Sequence, residues 1–215
     1  MQTGSIRLVL ADDHSIVRAG LRRLLETVKG FEVVAEARNG EELFDAYFAH
    51  KPDLAITDLP MPGVGGIDII VRIRAKDPTA RLLVLSAHED VSFPVRVIKA
   101  GGLGYLSKRT TVPETLFHAV HQVAQGHVFL ERTIAQRIAL ASIKGNADEF
   151  KALTDRELEV FRLLAEGYTV SEVAQMLFLS PKTVGTYQTR LLQKLGIKSS
   201  AMLTRLAIRK GLIEC

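Results

Sequence analysis

Five polar residues follow short apolar runs in the first half of the sequence: Asp12, Asp13, Asp58, Ser86 and Lys108. Carboxylates that are brought together repel one another, and a hard divalent cation with oxygen ligands relieves that repulsion. An ammonium group and a hydroxyl beside them can bind the oxygens of a phosphoryl group. The five residues therefore predict phosphoryl transfer onto a carboxylate, with Asp58 as the nucleophile and Mg²⁺ bound beside it.

Two other interpretations of these residues are open. Aspartates at strand ends are common as turn and helix-capping residues, although this explains one aspartate more easily than all five positions together. A Mg²⁺-dependent phosphatase would use the same side chains to hydrolyse phosphate esters. Phosphatases of the haloacid-dehalogenase type carry a second aspartate two residues after the nucleophile, where this sequence has Pro60. We therefore expect a protein that is not an enzyme, and we assign His14 to the start of the following helix.

The elements that must position these residues alternate between strands and helices over residues 1–127. Short apolar runs predict buried strands, and the amphipathic stretches between them predict helices. Serial βα units form a parallel sheet with right-handed crossovers and helices on both faces. The expected fold is a doubly wound, five-stranded α/β sheet whose functional site lies at the carboxyl ends of the strands. The predicted strands are 6–11, 32–37, 53–57, 81–85 and 104–107.

Four motifs, in this order, resemble the receiver domain of two-component response regulators over about residues 5–127. They are Asp12-Asp13, Thr57-Asp58-Leu59-Pro60-Met61-Pro62-Gly63, Leu85-Ser86-Ala87 and the segment from Ala100 to Lys108. The resemblance implies a flavodoxin-like fold with strand order 2-1-3-4-5 and phosphorylation of Asp58 by a sensor histidine kinase. It also implies a Mg²⁺ site formed by Asp12, Asp13, Asp58 and the backbone carbonyl of Pro60.

The same resemblance implies a signalling role for three further residues. Ser86 and Lys108 would bind the phosphoryl oxygens, and the ring of Tyr105 would move inward when the Ser86 hydroxyl turns toward them. A surface aromatic on an edge strand is the alternative for Tyr105. Pro60 and His88 stand at positions that, by resemblance, tune how fast the phosphoryl group hydrolyses.

The excess positive charge of the protein lies in its last 65 residues. Residues 151–215 hold 10 of the 28 Lys and Arg and 6 of the 24 Asp and Glu, which leaves residues 1–150 neutral. Because residues 1–150 are neutral and residues 151–215 are basic, we expect only the C-terminal part to bind a polyanion. A linker helix and a flexible joint are expected between them, over 128–150.

Cysteine content and hydropathy bear on the compartment. The only cysteine is Cys215, so a disulfide framework and a cysteine-based metal site are excluded. No stretch of about 18 apolar residues predicts a membrane-spanning helix. We therefore expect a cytoplasmic protein without a membrane partner.

Residues 151–215 predict four short helices. Two Thr-x-x-Glu sequences, beginning at Thr154 and Thr169, predict capping boxes, and Ser180 is a predicted N-cap followed by proline. The tight turn between the second and third helices predicts a helix-turn-helix unit. The third helix has a polar and basic face without acids, which is what binding to DNA phosphates requires.

Residues 150–213 resemble the LuxR-type DNA-binding domain. The motifs that carry the resemblance are Leu153-Thr154-Asp155-Arg156-Glu157, Glu172-Val173-Ala174 and Ser180-Pro181-Lys182-Thr183-Val184. By resemblance, the residues that face base edges are Gly185, Thr186 and Thr189. The residues that would hold phosphates are Lys182, Thr183, Tyr187, Arg190 and Lys194. The fourth helix would supply a dimer surface, with the candidates Met202, Leu203 and Leu206.

Together the two resemblances place the chain with response regulators of the NarL/FixJ type. They imply a transcription factor that is activated by phosphorylation of Asp58 and binds half-sites of promoter double-stranded DNA as a homodimer. RNA polymerase is a further candidate partner. The alternative function is a receiver that acts as a phosphorylation-independent protein-binding module, with constitutive DNA binding.

Overall fold

The computed structural model describes residues 5–62, 66–87, 92–143, 152–197 and 199–209. Contacts between residues divide the chain into two compact units, Met1–Ile138 and Ala139–Cys215. The predicted domain limits, 1–127, 128–150 and 151–215, stay predictions. His88, Cys215 and most of the predicted flexible joint lie outside the described residues. None of the described helices combines the length and apolar character that a membrane crossing requires.

A parallel sheet forms the centre of the first unit, in the order β2-β1-β3-β4-β5-β6. Its strands are β1 (Ile6–Ala11), β2 (Phe31–Ala37), β3 (Leu54–Thr57), β4 (Leu82–Ser86), β5 (Gly104–Ser107) and β6 (Phe129–Leu130). The helices that alternate with them are α1 (Ser15–Glu26), α2 (Gly40–His50), α3 (Gly66–Lys76), α4 (Ser92–Lys99), α5 (Pro113–Ala124) and α6 (Arg132–Ile143). The predicted flavodoxin-like α/β fold is confirmed.

The sheet has one more strand than the sequence predicts. Phe129 and Leu130 of β6 pair in parallel with Gly104 and Tyr105 of β5. The prediction of five strands was wrong at this edge, because these residues were assigned to the linker. A strand of two residues shows no alternation of apolar and polar positions from which it could be predicted. As a result, β5 has a neighbouring strand on each side.

The core of the first unit explains why its strands are fixed. Every residue of β3, β4 and β5 is buried, as expected for parallel strands covered by other elements. Leu10 of β1 and Ile56 of β3 belong to one apolar cluster with Leu25 of α1 and Val120 of α5. Removing this apolar surface from water stabilises the sheet, and the residues that follow the strands are held at its edge.

In the described part of the second unit, the helices that follow α6 are α7 (Asp155–Ala165), α8 (Val170–Met176), α9 (Pro181–Leu195) and α10 (Ser200–Arg209). Both predicted capping boxes are confirmed, with Thr154 and Thr169 as the N-cap residues. Ser180 accepts a hydrogen bond from the backbone N–H of the third residue of α9, as predicted. Gly196 ends α9 in the left-handed conformation, at a φ of 65°. Both ends of α9 are therefore fixed by local hydrogen bonds.

The turn between α8 and α9 is tight. The backbone N–H of Leu179 donates to the carbonyl oxygen of Ala174 at 2.8 Å, and Phe178 adopts a left-handed φ of 54°. This close turn between two helices is the helix-turn-helix arrangement that the sequence predicts.

Candidate functional site

Four neighbouring strands bring the predicted acidic and phosphate-binding residues to one edge of the sheet. Asp12 and Asp13 follow β1, Asp58 follows β3, Ser86 ends β4 and Lys108 follows β5. These strands are consecutive neighbours and parallel, so their carboxyl ends lie side by side. Asp12, Asp58 and Ser86 are 1%, 3% and 0% exposed. The structure thus gathers these residues into a single site, which we call the acidic pocket.

Lys108 contacts both buried carboxylates of the acidic pocket. Its Nζ donates a hydrogen bond to Oδ2 of Asp12 at 2.6 Å and another to Oδ2 of Asp58. The other oxygen of Asp58 accepts a hydrogen bond from the backbone N–H of Leu59 at 2.7 Å. A buried charge is unfavourable unless it is paired and hydrogen-bonded. The lysine therefore compensates the negative charge that the strand ends bring together.

Burial changes the protonation of the acidic pocket. Burial raises the pKa of Asp58 to about 6, although the nearby Lys108 acts in the opposite direction. Burial acts to lower the pKa of Lys108, but Asp58 and Asp12 outweigh it and raise that pKa above its usual value. The lysine is therefore charged at neutral pH, while Asp58 titrates nearer to neutrality than an exposed aspartate.

Asp13 has the most open carboxylate of the pocket. Its Oδ1 is buried and accepts no hydrogen bond from the described residues, although Nδ1 of His14 lies 2.8 Å away. One ligand atom each from Asp12, Asp13 and His14 lie within 4.8 Å of one another. The two aspartates supply carboxylate oxygens, one of which accepts no hydrogen bond from the described residues, and such oxygens suit a small divalent cation. His14 is also the N-cap residue of α1, but its side chain makes no capping hydrogen bond.

The structure decides between the two interpretations of the position of Tyr105. Tyr105 is fully buried, and β5 is not an edge strand, so the alternative of a surface aromatic on an edge strand is wrong. Ser86 on the adjacent β4 is also fully buried. Pro60 lies two residues after Asp58 and is half-buried. Ser86 and Tyr105, the two predicted switch residues, are therefore both buried within the sheet.

A second group of predicted residues lies on α9. Lys182, Thr186, Thr189 and Arg190 are exposed. Thr183, Gly185 and Tyr187 are partly exposed, and a Cβ added at Gly185 would meet no atom within 4 Å. The opposite side of α9 is apolar, with Val184 and Leu191 fully buried. The helix therefore packs by one face and presents a polar and basic face, which can accept a polyanion.

Comparison with known proteins shows the family of both parts of the chain. Residues 8–121 match the response regulator receiver domain, and residues 151–207 match the luxR family of bacterial regulatory proteins. Response regulator UvrY of Escherichia coli is 38% identical over 209 residues, which cover 96% of this chain and 95% of that protein. The chain is a response regulator of the NarL/FixJ type. Response regulator GacA of Pseudomonas aeruginosa is 34% identical over 211 residues, covering 97% of this chain and 98% of that protein.

Solved structures resemble this response regulator over nearly its whole length. RcsB of Salmonella typhimurium has a TM-score of 0.69 at 27% identity, covering 94% of this chain and 96% of that one. A structure of an RcsB–DNA complex has a TM-score of 0.61 at 28% identity, covering 94% and 97%. The receiver and the LuxR-type helical fold are thus shared with these proteins.

One predicted phosphate-binding residue of the response regulator has a partner inside the helical unit. Nζ of Lys194 donates to Oε2 of Glu157 at 2.6 Å, and the Glu157 side chain is 3% exposed. The same oxygen accepts the backbone N–H of Thr154 at 2.8 Å. Burial acts to raise the pKa of Glu157, but the hydrogen bonds from Lys194 and Thr154 hold it below its usual value. Lys194 therefore ties the end of α9 to the start of α7, and its assignment to DNA phosphates stays a prediction.

The predicted dimer residues of this response regulator need correction. Leu203 is fully buried and Leu206 is 7% exposed, so both pack inside the helical unit. Met202 is 45% exposed and stays available for a partner. The sequence carried a signal for this outcome, because residues 203, 206 and 207 follow the spacing of a buried helical stripe. For Glu157, the capping motif was visible in the sequence, but its pairing with Lys194 was not.

Proposed function

We propose that this response regulator accepts a phosphoryl group on Asp58 from a sensor histidine kinase and then binds promoter DNA as a homodimer. The observation that carries the proposal is the acidic pocket itself. A buried carboxylate contacts a charged lysine, beside a second acid whose oxygen accepts no hydrogen bond from the described residues. This arrangement offers a nucleophile together with charges of both signs for the phosphoryl group and its cation.

The transfer needs little covalent chemistry from the protein. A carboxylate oxygen of Asp58 forms a bond to phosphorus, the phosphorus–nitrogen bond of the kinase phosphohistidine breaks, and the histidine nitrogen keeps the electron pair. Lys108 balances negative charge on a phosphoryl oxygen, and the Ser86 hydroxyl donates to another. We assign Mg²⁺ to Asp12, Asp13, Asp58 and the Pro60 carbonyl, where it would neutralise charge between nucleophile and phosphate. The product is an acyl phosphate with a charge of about −2.

The DNA-binding part of the proposal rests on α9. Its exposed Lys182 and Arg190 are assigned to phosphates with Thr183 and Tyr187, and Gly185, Thr186 and Thr189 to base edges. Support comes from the polar face of α9, which has no acidic residue, and from the solved RcsB–DNA complex. Met202 of α10 is assigned to the dimer surface. RNA polymerase is a further proposed partner, and promoter DNA as the target implies action in the cytoplasm.

One observation favours the alternative of constitutive DNA binding. Tyr105 is fully buried in this structure, which is the position that the receiver resemblance associates with the phosphorylated state. If that position is permanent, phosphorylation would add little to DNA affinity, and the receiver would act only as a protein-binding module.

The two functions differ in what Asp58 does to DNA affinity. We would enrich duplexes from a randomised pool with the full chain in Mg²⁺ and beryllium fluoride, and then measure affinity before and after treatment with a small-molecule phosphodonor. Phosphodonor should raise the affinity of the wild type about tenfold or more, and of the control Asp45→Asn equally, but not that of Asp58→Asn. Asp45 is an exposed residue of α2 and is not one of the residues of the acidic pocket. Equal affinity in all three proteins would support the constitutive alternative and contradict the proposal.

A further inference from the structure

Two exposed threonines on α9 have their hydroxyl groups hydrogen-bonded to the helix itself. Oγ1 of Thr186 donates to the carbonyl oxygen of Lys182 at 3.0 Å, and Oγ1 of Thr189 donates to that of Gly185 at 3.0 Å. Both bonds run from a residue to the carbonyl four positions earlier, a local pattern open to threonine in a helix. The two side chains therefore have the same hydrogen-bonding state.

This state fixes what the threonines can offer to a ligand. A hydroxyl group has one hydrogen to donate and two lone pairs that accept. In Thr186 and Thr189 the hydrogen is used within α9, so each side chain presents an accepting oxygen and a methyl group. Neither can donate a hydrogen bond to a base without breaking its bond to the helix.

The base pairs differ in how well they match such a surface. In the major groove, guanine presents two acceptors, which need donors from the protein. Adenine presents the N6 amino donor, and its partner thymine presents the C5 methyl group. An A·T pair therefore supplies a donor for the threonine oxygen and an apolar group for the threonine methyl. Both kinds of pair offer one amino donor and two acceptors, but a G·C pair presents the guanine O6 acceptor in place of the adenine N6 donor, and its cytosine has no methyl group.

The spacing of the two threonines is close to that of neighbouring base pairs. Three residues of an α-helix advance by about 4.5 Å along its axis, against about 3.4 Å between base pairs. Gly185 lies between Lys182 and Thr189 on this side of α9, and its missing side chain leaves open space. Packing within the protein does not require glycine there, so the gap is free for the approach of a ligand.

We propose that Thr186 and Thr189 make this response regulator specific for two successive A·T pairs in the major groove of each half-site, read through the adenine N6 donor and the thymine methyl. The inference rests on the proposed function, because it requires α9 to lie in the groove. Lys182 and Arg190, which are exposed on the same helix, bind phosphates and do not select these bases.

The test uses the full chain, in Mg²⁺ and beryllium fluoride, with a duplex enriched by it from a randomised pool. Each thymine of the half-site is replaced in turn by uracil, which removes only the methyl group. The same substitution in the flanking sequence is the DNA control. The protein variants are Thr186→Ser and Thr189→Ser, which keep the hydroxyl and lose the methyl, and Thr186→Val and Thr189→Val, which lose the accepting oxygen.

We expect a loss of DNA affinity at two adjacent base pairs, each loss depending on one of the two threonines. Uracil at a contacted position should weaken wild-type binding about fourfold, as expected for one buried methyl group. The same uracil should have no further effect on the matching serine variant. Replacing either A·T pair by G·C should weaken wild-type binding about tenfold or more. The valine variants should lose discrimination at one pair each, while uracil in the flanks changes nothing.

Two contrary results have different meanings. If Arg190→Ala weakens binding to all sequences but uracil and the threonine variants have no effect, the inference is overturned while DNA binding by α9 stands. If no duplex is enriched, and Arg190→Ala leaves the salt dependence of binding unchanged, the proposed function fails and the inference with it. A selected half-site with G·C at the coupled positions would also contradict the inference.

Discussion

The two units of this response regulator hold their functional charges in opposite ways. The acidic pocket keeps Asp12 and Asp58 1% and 3% exposed, with Lys108 in contact with both. On α9, Lys182 and Arg190 are exposed to solvent. Burial moves the pKa of Asp58 to about 6. Buried charges in the first unit are thus suited to covalent chemistry, and exposed charges on α9 are suited to attracting a polyanion.

The difference shows that the interaction energy of a buried charge depends on a few contacts, whereas that of exposed charges depends on many charges together. A buried charge interacts strongly with the few groups at contact distance, so the loss of one partner is severe. Exposed charges are screened by salt and act together on a polyanion, so the loss of one is modest and depends on salt. The ion pair of Lys194 and Glu157 lies between these cases, since only the glutamate is buried.

The largest effect is expected from Lys108→Met. It removes the cation that contacts two buried carboxylates, and it should lower the free energy of unfolding by about 3 kcal/mol. Urea unfolding at pH 7 in the presence of a chelator measures this. The control is Lys99→Met on α4, where the side chain is exposed and the change should stay within about 0.5 kcal/mol. Equal losses in the two variants would mean that the pocket does not depend on its lysine.

The two units should also differ in the sign of their pH dependence. The pKa of Asp58 is about 6 in the folded protein against an ordinary value of 3.8, so the folded state binds more protons between these values. Its contribution should make the free energy of unfolding fall, by about 2 kcal/mol, as the pH rises from about 4 to 6. The pKa of Glu157 is lowered, so its contribution is present above the usual glutamate range and is lost as the pH falls.

Two variants separate these contributions in the full chain. Asp58→Asn should remove the decline between about pH 4 and 6, and Glu157→Gln should remove part of the loss below about pH 4.5. Urea unfolding across pH 3 to 7, followed by hydrogen exchange in each unit, measures both. If both substitutions changed the pH dependence of the free energy of unfolding in the same direction, the comparison of the two units would be contradicted.

A smaller effect separates Lys194 from Arg190. Lys194→Met breaks the bond to Glu157 and should lower the free energy of unfolding by about 1 kcal/mol, because the lysine itself is partly exposed. Arg190→Met should leave stability unchanged and reduce both DNA affinity and its salt dependence. Thermal unfolding and binding at several salt concentrations make the comparison. The reverse pattern would show that Lys194 acts mainly on DNA phosphates and not on stability.

The smallest effect is expected from Gly185→Ala. Alanine favours a helix over glycine by about 1 kcal/mol, and its Cβ would meet no atom within 4 Å, so the variant should be slightly more stable. If DNA approaches this position closely, affinity should fall a few fold at the same time. Improved stability with unchanged DNA affinity would show that DNA does not approach Gly185 closely and contacts other residues of α9.

Local patterns in the sequence predicted most of the fold and of the acidic pocket. Apolar runs predicted the strands, and parallel strands bring their carboxyl ends together, so Asp12, Asp58 and Lys108 could be placed at one edge. The capping boxes at Thr154 and Thr169 were predictable because a helix N-terminus is satisfied within four residues.

Features that depend on distant contacts, on very short strands or on side-chain rotamers were not predictable in this way. Glu157 and Lys194 are 37 residues apart, and no local pattern relates them. β6 is too short to have a pattern of its own. The hydroxyl bonds of Thr186 and Thr189 depend on side-chain rotamers, which the residue type leaves open in helices.

The carboxylate of Glu157 makes two interactions, since it caps α7 and binds Lys194 at the end of α9. A substitution at this position removes both interactions in one step, and no change at Thr154 or Lys194 alone restores them. Among related sequences, positions 157 and 194 should therefore vary together or not at all, whereas any residue except proline supplies the backbone N–H at position 154. The residues on the exposed face of α9 that we assign to DNA carry no such constraint, so operator preference can diverge between relatives while α9 keeps its ion pair with α7.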